Sequence, residues 1–153
     1  MSAIWERLAE EAADESPLWA DALLPNHERQ LVAIFSPLAP ERFALGLETI
    51  YEGYLLHYGR SRLFDPPDGE AALLLGDYLY AHGLVRVAGL GEVEAVAALA
   101  ELISACAQLR AEQRDGDGDV WVAAARRLGG EPRKPEVERA LAAHNARMGA
   151  RMG

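Results

Sequence analysis

The chain has 153 residues, half of them hydrophobic, with a formal net charge of -9, which suits one domain around a single sizeable core. The acidic excess argues against nucleic acid or an anionic membrane as main partner, because phosphate recognition draws on clustered Lys and Arg. Charge is unevenly spread: from Arg126 onward seven Arg/Lys face three Glu, so 28 residues carry +4 and the remainder -13. That end reads as a solvated C-terminal helix, or as a basic arm docking on an acidic surface of this chain or of a partner.

Ala and Leu are abundant, alternating strand patterns are nearly absent, and Gly and Pro fall mostly between periodic segments, so helices are predicted throughout. "MSAIWERLAEEAADE" is acidic and amphipathic without an apolar signal core, and predicts a helix over about 2–14. Ser16–Pro17 is a helix-start signal; Asn26 caps a short helix through Phe35, and Pro40 opens a long one to about Leu63. "FDPPDGE" is a loop in which Asp68 caps a helix over 69–88, ended by Gly89 and the turn "GLGE". Helices follow over 92–114, 119–128 and 135–148, with "DGDGD" a loop that caps the second. The expectation is an all-α single domain over 1–153, a bundle of six to seven helices with short connections and antiparallel neighbours.

No stretch reaches the roughly 18 apolar residues of a membrane span. The single cysteine, Cys106, lies among Leu99, Leu102 and Leu109 and reads as a buried, inert thiol of a reducing compartment. A soluble, cytoplasmic protein is expected.

Inside "LLLGDYLY", residues 73–80, one acid interrupts an apolar helix. At 100° per residue, Leu73, Asp77, Tyr80, Ala81, Leu84 and Ala88 share a face, and the opposite side is largely apolar too, which predicts a central helix. A buried carboxylate needs a cation or several N–H donors; Arg60, Arg62, His57 or a helix end are the candidates. Asp77 therefore reads as a structural buried acid, with a metal-ligand or general-base role and an interface role as alternatives.

Elsewhere, a calcium loop starting at Asp115 would place Asp117 and Asp119 correctly but finds Val120 and Arg126 where Gly and Glu belong. His57 and His82 stand singly, and no zinc spacing, phosphate loop or nucleophile elbow is present. Phe43, Leu47, Ile50, Tyr54, His57 and Tyr58 form one helical stripe. Tyr51, Tyr54, His57, Tyr58, Tyr78 and Tyr80 are core aromatics, or part of an interface or isoprenoid-channel surface.

"GEAALLLGDYLYAHGLVRVAGLGEVEAVAALAELISACAQLRAE", residues 69–112, resembles the central two helices of all-α polyprenyl diphosphate synthases, in which "GD" plus an aromatic or Leu precedes a Gly turn and an Ala/Leu-rich helix. Catalytic members carry two Asp-rich motifs that hold Mg²⁺ on a substrate diphosphate. This chain has no Asp-Asp pair; the first motif's place reads "LETIYEGY", residues 47–54, "HYGR" replaces the Arg-Arg-Gly that follows, and the half carrying the second motif is absent. The chain is thus most similar to the small non-catalytic subunit of two-component hexaprenyl and heptaprenyl diphosphate synthases, whose Leu-acid-Thr compares with Leu47-Glu48-Thr49. The resemblance implies an isoprenoid-synthase-related bundle that binds a catalytic synthase subunit, self-associates, or both, with no cofactor of its own. Two other readings stand beside it. One is a minimal isoprenoid-processing enzyme using Glu48 and Glu52, one turn apart, to hold Mg²⁺; the other is a helical oligomeric binding module.

Overall fold

A computed structural model describes residues 2–149, and those residues build an all-α bundle of seven helices. In chain order they are α1 (Ser2–Glu15), α2 (Pro17–Ala22), α3 (Ala44–Tyr58), α4 (Gly69–Ala88), α5 (Val93–Ala111), α6 (Asp117–Arg127) and α7 (Lys134–Gly149). Arg151, part of the basic count, lies outside the described residues. The caps follow local chemistry: the Ser16 hydroxyl accepts from Leu18 N at 3.1 Å and the Asp68 carboxylate from Ala71 N at 2.8 Å. Gly116 enters α6 at φ +110, a conformation that only glycine takes without strain.

Two segments depart from the sequence reading. The helix expected from Asn26 to Phe35 is only a 3₁₀ turn at Asn26–Glu28. Beyond it the backbone bonds outward, Gln30 N donating to the Arg62 carbonyl at 3.0 Å and the Val32 carbonyl accepting from Arg62 Nη1 at 2.8 Å. The long helix expected over 40–63 begins after a 3₁₀ turn at Glu41–Phe43 and stops at Tyr58. Residues past Gly59 turn back inward, where Leu24 N donates to the Leu63 carbonyl and Asp65 N to the Ala22 carbonyl, at 2.8 and 2.7 Å.

The central element is α3, not the helix carrying Asp77. Twelve of its fifteen residues are buried, from Ala44 almost unbroken to Leu56. On one side a core of Phe35, Leu47, Tyr51, Tyr54, Leu99, Leu102 and Trp121 joins α3 to α5, α6 and α7; on the other, Trp5, Leu8, Leu56, Leu63, Leu75 and Leu79 join it to α1 and α4. Glycines set the approach of α3 to α4. A Cβ on Gly53 would sit 2.8 Å from the Gly76 carbonyl, one on Gly76 3.0 Å from the Gly53 carbonyl, and one on Gly83 3.1 Å from the Gly46 carbonyl. Gly46 and Gly53 thus face Gly83 and Gly76 along an antiparallel pair, leaving backbone against backbone.

The face of α4 that packs is therefore Leu75, Gly76, Leu79, Gly83 and Val87. The face chosen from hydrophobic spacing is only half covered: Leu73, Asp77, Ala81 and Ala88 are exposed, while Tyr80 and Leu84 rest half-buried against the core. The physical reason is close approach: glycine carries no apolar signal, yet it admits a neighbouring helix where leucine would hold it off. Gly53→Ala and Gly76→Ala are each expected to lower unfolding free energy in urea by about 1–3 kcal/mol. Gly69→Ala, where nothing lies within 4 Å, should stay within about 0.5 kcal/mol of the parent; equal effects at all three sites would contradict the packing account.

Candidate functional site

Glu48 and Glu52, the carboxylates nominated for Mg²⁺, sit at the middle of α3 and are sealed, with side chains 1% and 0% exposed. Between them lies the guanidinium of Arg62, itself without exposure. Arg62 Nη1 donates to Glu48 Oε1 at 2.7 Å, its Nε to Glu52 Oε1 at 2.8 Å, and its backbone N to the same Glu52 oxygen at 3.1 Å. The Ser36 hydroxyl takes Glu48 Oε2 and the Ser61 hydroxyl takes Glu52 Oε2. The guanidinium carbon lies over the rings of Trp5 and Tyr51, 4.6 and 5.0 Å from their centroids, as a cation does over an aromatic face. Burial disfavours the charged guanidinium, but the two facing carboxylates outweigh it and hold Arg62 firmly protonated.

This corrects the metal reading. Every carboxylate oxygen of the pair already accepts a hydrogen bond, and the Arg62 guanidinium occupies the place between them that a magnesium ion would take. The residues do not fit a diphosphate-bound cation, which needs open coordination positions facing substrate. Arg62, named from sequence as a possible partner of Asp77, belongs to Glu48 and Glu52. Ser36 and Ser61 were not singled out by sequence reasoning.

A second polar network joins α3, α5, α6 and α7. Asp117 Oδ2 accepts from the Tyr54 hydroxyl at 2.7 Å, from Arg110 Nη2 at 2.6 Å and from His144 Nε2 at 2.9 Å. With the His144 proton on Nε2, its Nδ1 accepts the Tyr51 hydroxyl at 2.7 Å. Burial pushes the Asp117 carboxyl up, but hydrogen bonds from His144 and Tyr54 and the charge of Arg110 outweigh it and hold the group below the usual carboxylate range. Burial raises the Tyr51 and Tyr54 phenols well above their ordinary values. Both rings are core, Tyr51 packed edge-to-face with Phe35 and Trp121 and Tyr54 edge-to-face with Trp121, so neither can serve an interface or channel. Asp117 itself is committed to these donors instead of a calcium ion. Cys106 is also buried, and burial foremost, with the Asp117 charge, pushes its thiol up to about 12, as expected for an inert core cysteine.

The basic C-terminal stretch docks in part on this chain's own acids, Arg127 of α6 pairing with Glu101 of α5. Arg147 of α7 donates from Nε to the Arg60 carbonyl at 3.0 Å and from Nη1 to the Gln30 side-chain oxygen at 2.5 Å.

Asp77 is not the buried acid the sequence suggested. Its side chain is 64% exposed, with His57 Nε2 3.1 Å from Oδ1. The preceding residue explains the placement: a Cβ on Gly76 would strike the His57 ring, so Gly76 seats His57 against α4 and Asp77 meets its edge. His57 also stacks on Tyr80 at 5.0 Å. His57, Tyr58, Tyr78 and Tyr80 are half-buried at this boundary, Tyr78 lying 6.3 Å from the Trp19 ring. Around them α4 presents Leu74, Tyr78, Ala81, Val85 and Ala88, spaced four and three residues apart, with Leu74 and Val85 more than half exposed. Exposed Leu90 and Val93 extend the apolar surface into the α4–α5 turn. Such spacing is the seam one helix offers another. Among the described residues no helix is long and apolar enough to cross a membrane.

Arg62→Met, which strands two buried carboxylates, should cost about 3–5 kcal/mol in urea unfolding; replacing Glu48, Glu52 and Arg62 together by Leu, Leu and Met should recover most of that loss. A single substitution costing under about 1 kcal/mol would mean that the three charges are not coupled. For Asp117 the folded pKa lies below the unfolded one. Its contribution is therefore complete above the unfolded value of about 3.9 and is lost as pH falls through the lower folded value. Asp117→Asn should be less stable at neutral pH and flatten the acid limb of the stability curve, measured by thermal melts from neutral pH downward.

Comparison of the chain with protein-family models, with curated proteins and with solved structures finds no match.

Proposed function

We propose that the chain is a non-catalytic accessory subunit of a polyprenyl diphosphate synthase, using the outer face of α4 to hold a catalytic partner. The observation that carries this reading is that the helix bearing "GDYLYA" keeps its glycines for α3 and turns an apolar seam of Leu74, Tyr78, Ala81, Val85 and Ala88 to solvent. Contiguous apolar surface on a folded chain marks an interaction site more often than an accident of packing. The enzyme alternative loses its support, because Glu48 and Glu52 are spent on Arg62. A buried scaffold with an exposed helical seam can recognise a partner, shape it and stabilise it without performing chemistry. Self-association through the same seam is the competing use of that surface.

The test is co-expression with a catalytic synthase from the same genome. Copurification and longer polyprenyl products in the presence of this chain are expected. Leu74→Glu with Val85→Glu should abolish both effects while leaving unfolding free energy within about 0.5 kcal/mol per site. A complex and product profile indifferent to the double substitution would contradict the assigned surface. Turnover by the lone chain, lost in Glu48→Gln, would contradict the non-catalytic reading altogether.

A further inference from the structure

A cavity of about 670 Å³ lies where the start of α1, the Glu41–Gly46 segment and the end of α4 meet, bordering the α4 apolar surface at Leu90. That size falls within the range that encloses small organic ligands. Its wall divides chemically. Ile4, Leu45, Val87 and Leu90 supply an apolar side, and Arg7, Arg42 and Arg86 bring three guanidinium groups from three different elements. The acid on the wall is Glu41, which is exposed.

The arginines are anchored from outside the cavity. Arg42 pairs with Glu92 through Nε and Nη2, at 2.7 and 3.0 Å. Arg7 and Arg86 share one carboxylate, Glu11, which also meets His82 Nε2 at 2.9 Å. Neither Glu11 nor Glu92 lines the cavity. These pairs hold three cationic side chains at the wall while leaving N–H groups unused. Arg86 is the least exposed of the three, its side chain 12% exposed, with its Nε closed to solvent. The remaining guanidinium N–H groups of the three arginines offer an anionic oxygen in the cavity charge-assisted bonds.

We infer that this cavity is a binding site for an amphipathic anion, an acidic phosphate or carboxylate head on a short apolar chain. The head is held by Arg86 with Arg42 and Arg7, and the chain lies along Ile4, Leu45, Val87 and Leu90. Binding is non-covalent and leaves the ligand unchanged. The inference stands independently of the subunit reading, since binding of a small anion needs no partner protein.

The experiment is titration of the full chain with octyl phosphate and octanoate, followed by calorimetry and by backbone amide NMR shifts. Inorganic phosphate and octanol serve as head-only and chain-only controls. Saturable one-to-one binding of either amphiphile is expected, with shifts at Arg42, Leu45, Val87 and Leu90, and controls weaker by about tenfold or more. The tighter of the two amphiphiles identifies the head group. Arg86→Met should weaken binding by about tenfold or more; because Arg86 also tethers Glu11, Leu90→Glu, which places an acid on the wall at an exposed position, provides the second test and should do the same. No saturable binding of either amphiphile, octanol binding as tightly as octyl phosphate, or affinity unchanged in Leu90→Glu would overturn the proposal.

Discussion

A single cation without solvent organises this molecule. Arg62 lies at the centre of the bundle with no exposure, between two carboxylates from successive turns of α3. Desolvating three charges costs several kcal/mol each unless geometry and additional hydrogen bonds compensate. Here Ser36, Ser61, the Val32 carbonyl and the Arg62 backbone N–H supply those bonds, and Trp5 and Tyr51 cover the guanidinium. Much of the architecture follows from meeting these demands. The α3 helix ends at Tyr58 so that residues 60–62 can double back, and residues 29–35 run non-helical into a 3₁₀ turn at Ser36–Leu38, the Val32 carbonyl serving the arginine and the Ser36 hydroxyl its acid. The first helix is held against the same group through Trp5.

With α3 enclosed in this way, the fourth helix can only lie on its surface, and the paired glycines let it lie close. That closeness leaves the other side of α4 to solvent and puts Asp77 at the edge of His57. The "GD" pair is thus a packing device: the glycine admits α3 and His57, and the acid meets the histidine at the rim. The acids of α3 are thereby closed by an arginine, and the apolar residues Leu74 and Val85 of α4 are left facing solvent.

Much of this was legible in the sequence, and the failures share a cause. Helix boundaries announced by caps and turn glycines, such as Ser16, Asp68 and Gly89, lie where local chemistry puts them. The orientation of α4 did not follow, because hydrophobic spacing counts leucines and gives no weight to Gly76 and Gly83, the residues that decide the contact. Spacing alone presents Glu48 and Glu52 as a pair one turn apart that could hold Mg²⁺. The available signal was their setting: Leu47, Ile50, Tyr51, Tyr54 and Leu55 surround the axis of α3, so an acid there had no solvent to face and required a cation. Which arginine would come was not readable, since Arg62 arrives through a chain reversal after Gly59 that no periodicity encodes. His144 and Asp117 meet across 27 residues, a tertiary contact with no local pattern.

The central claim is that the acid pair of α3 is structural and closed to metal, and the effect of Mg²⁺ on stability tests it most directly. A cation bound to the folded chain alone must raise unfolding free energy, by about 1.4 kcal/mol at ten times its dissociation constant. Urea unfolding with and without about 10 mM MgCl₂, at matched ionic strength, should give the same midpoint for the parent chain. A midpoint raised by Mg²⁺ in the parent but not in Glu48→Gln would contradict the account, and would return those carboxylates to the metal chemistry from which Arg62 excludes them.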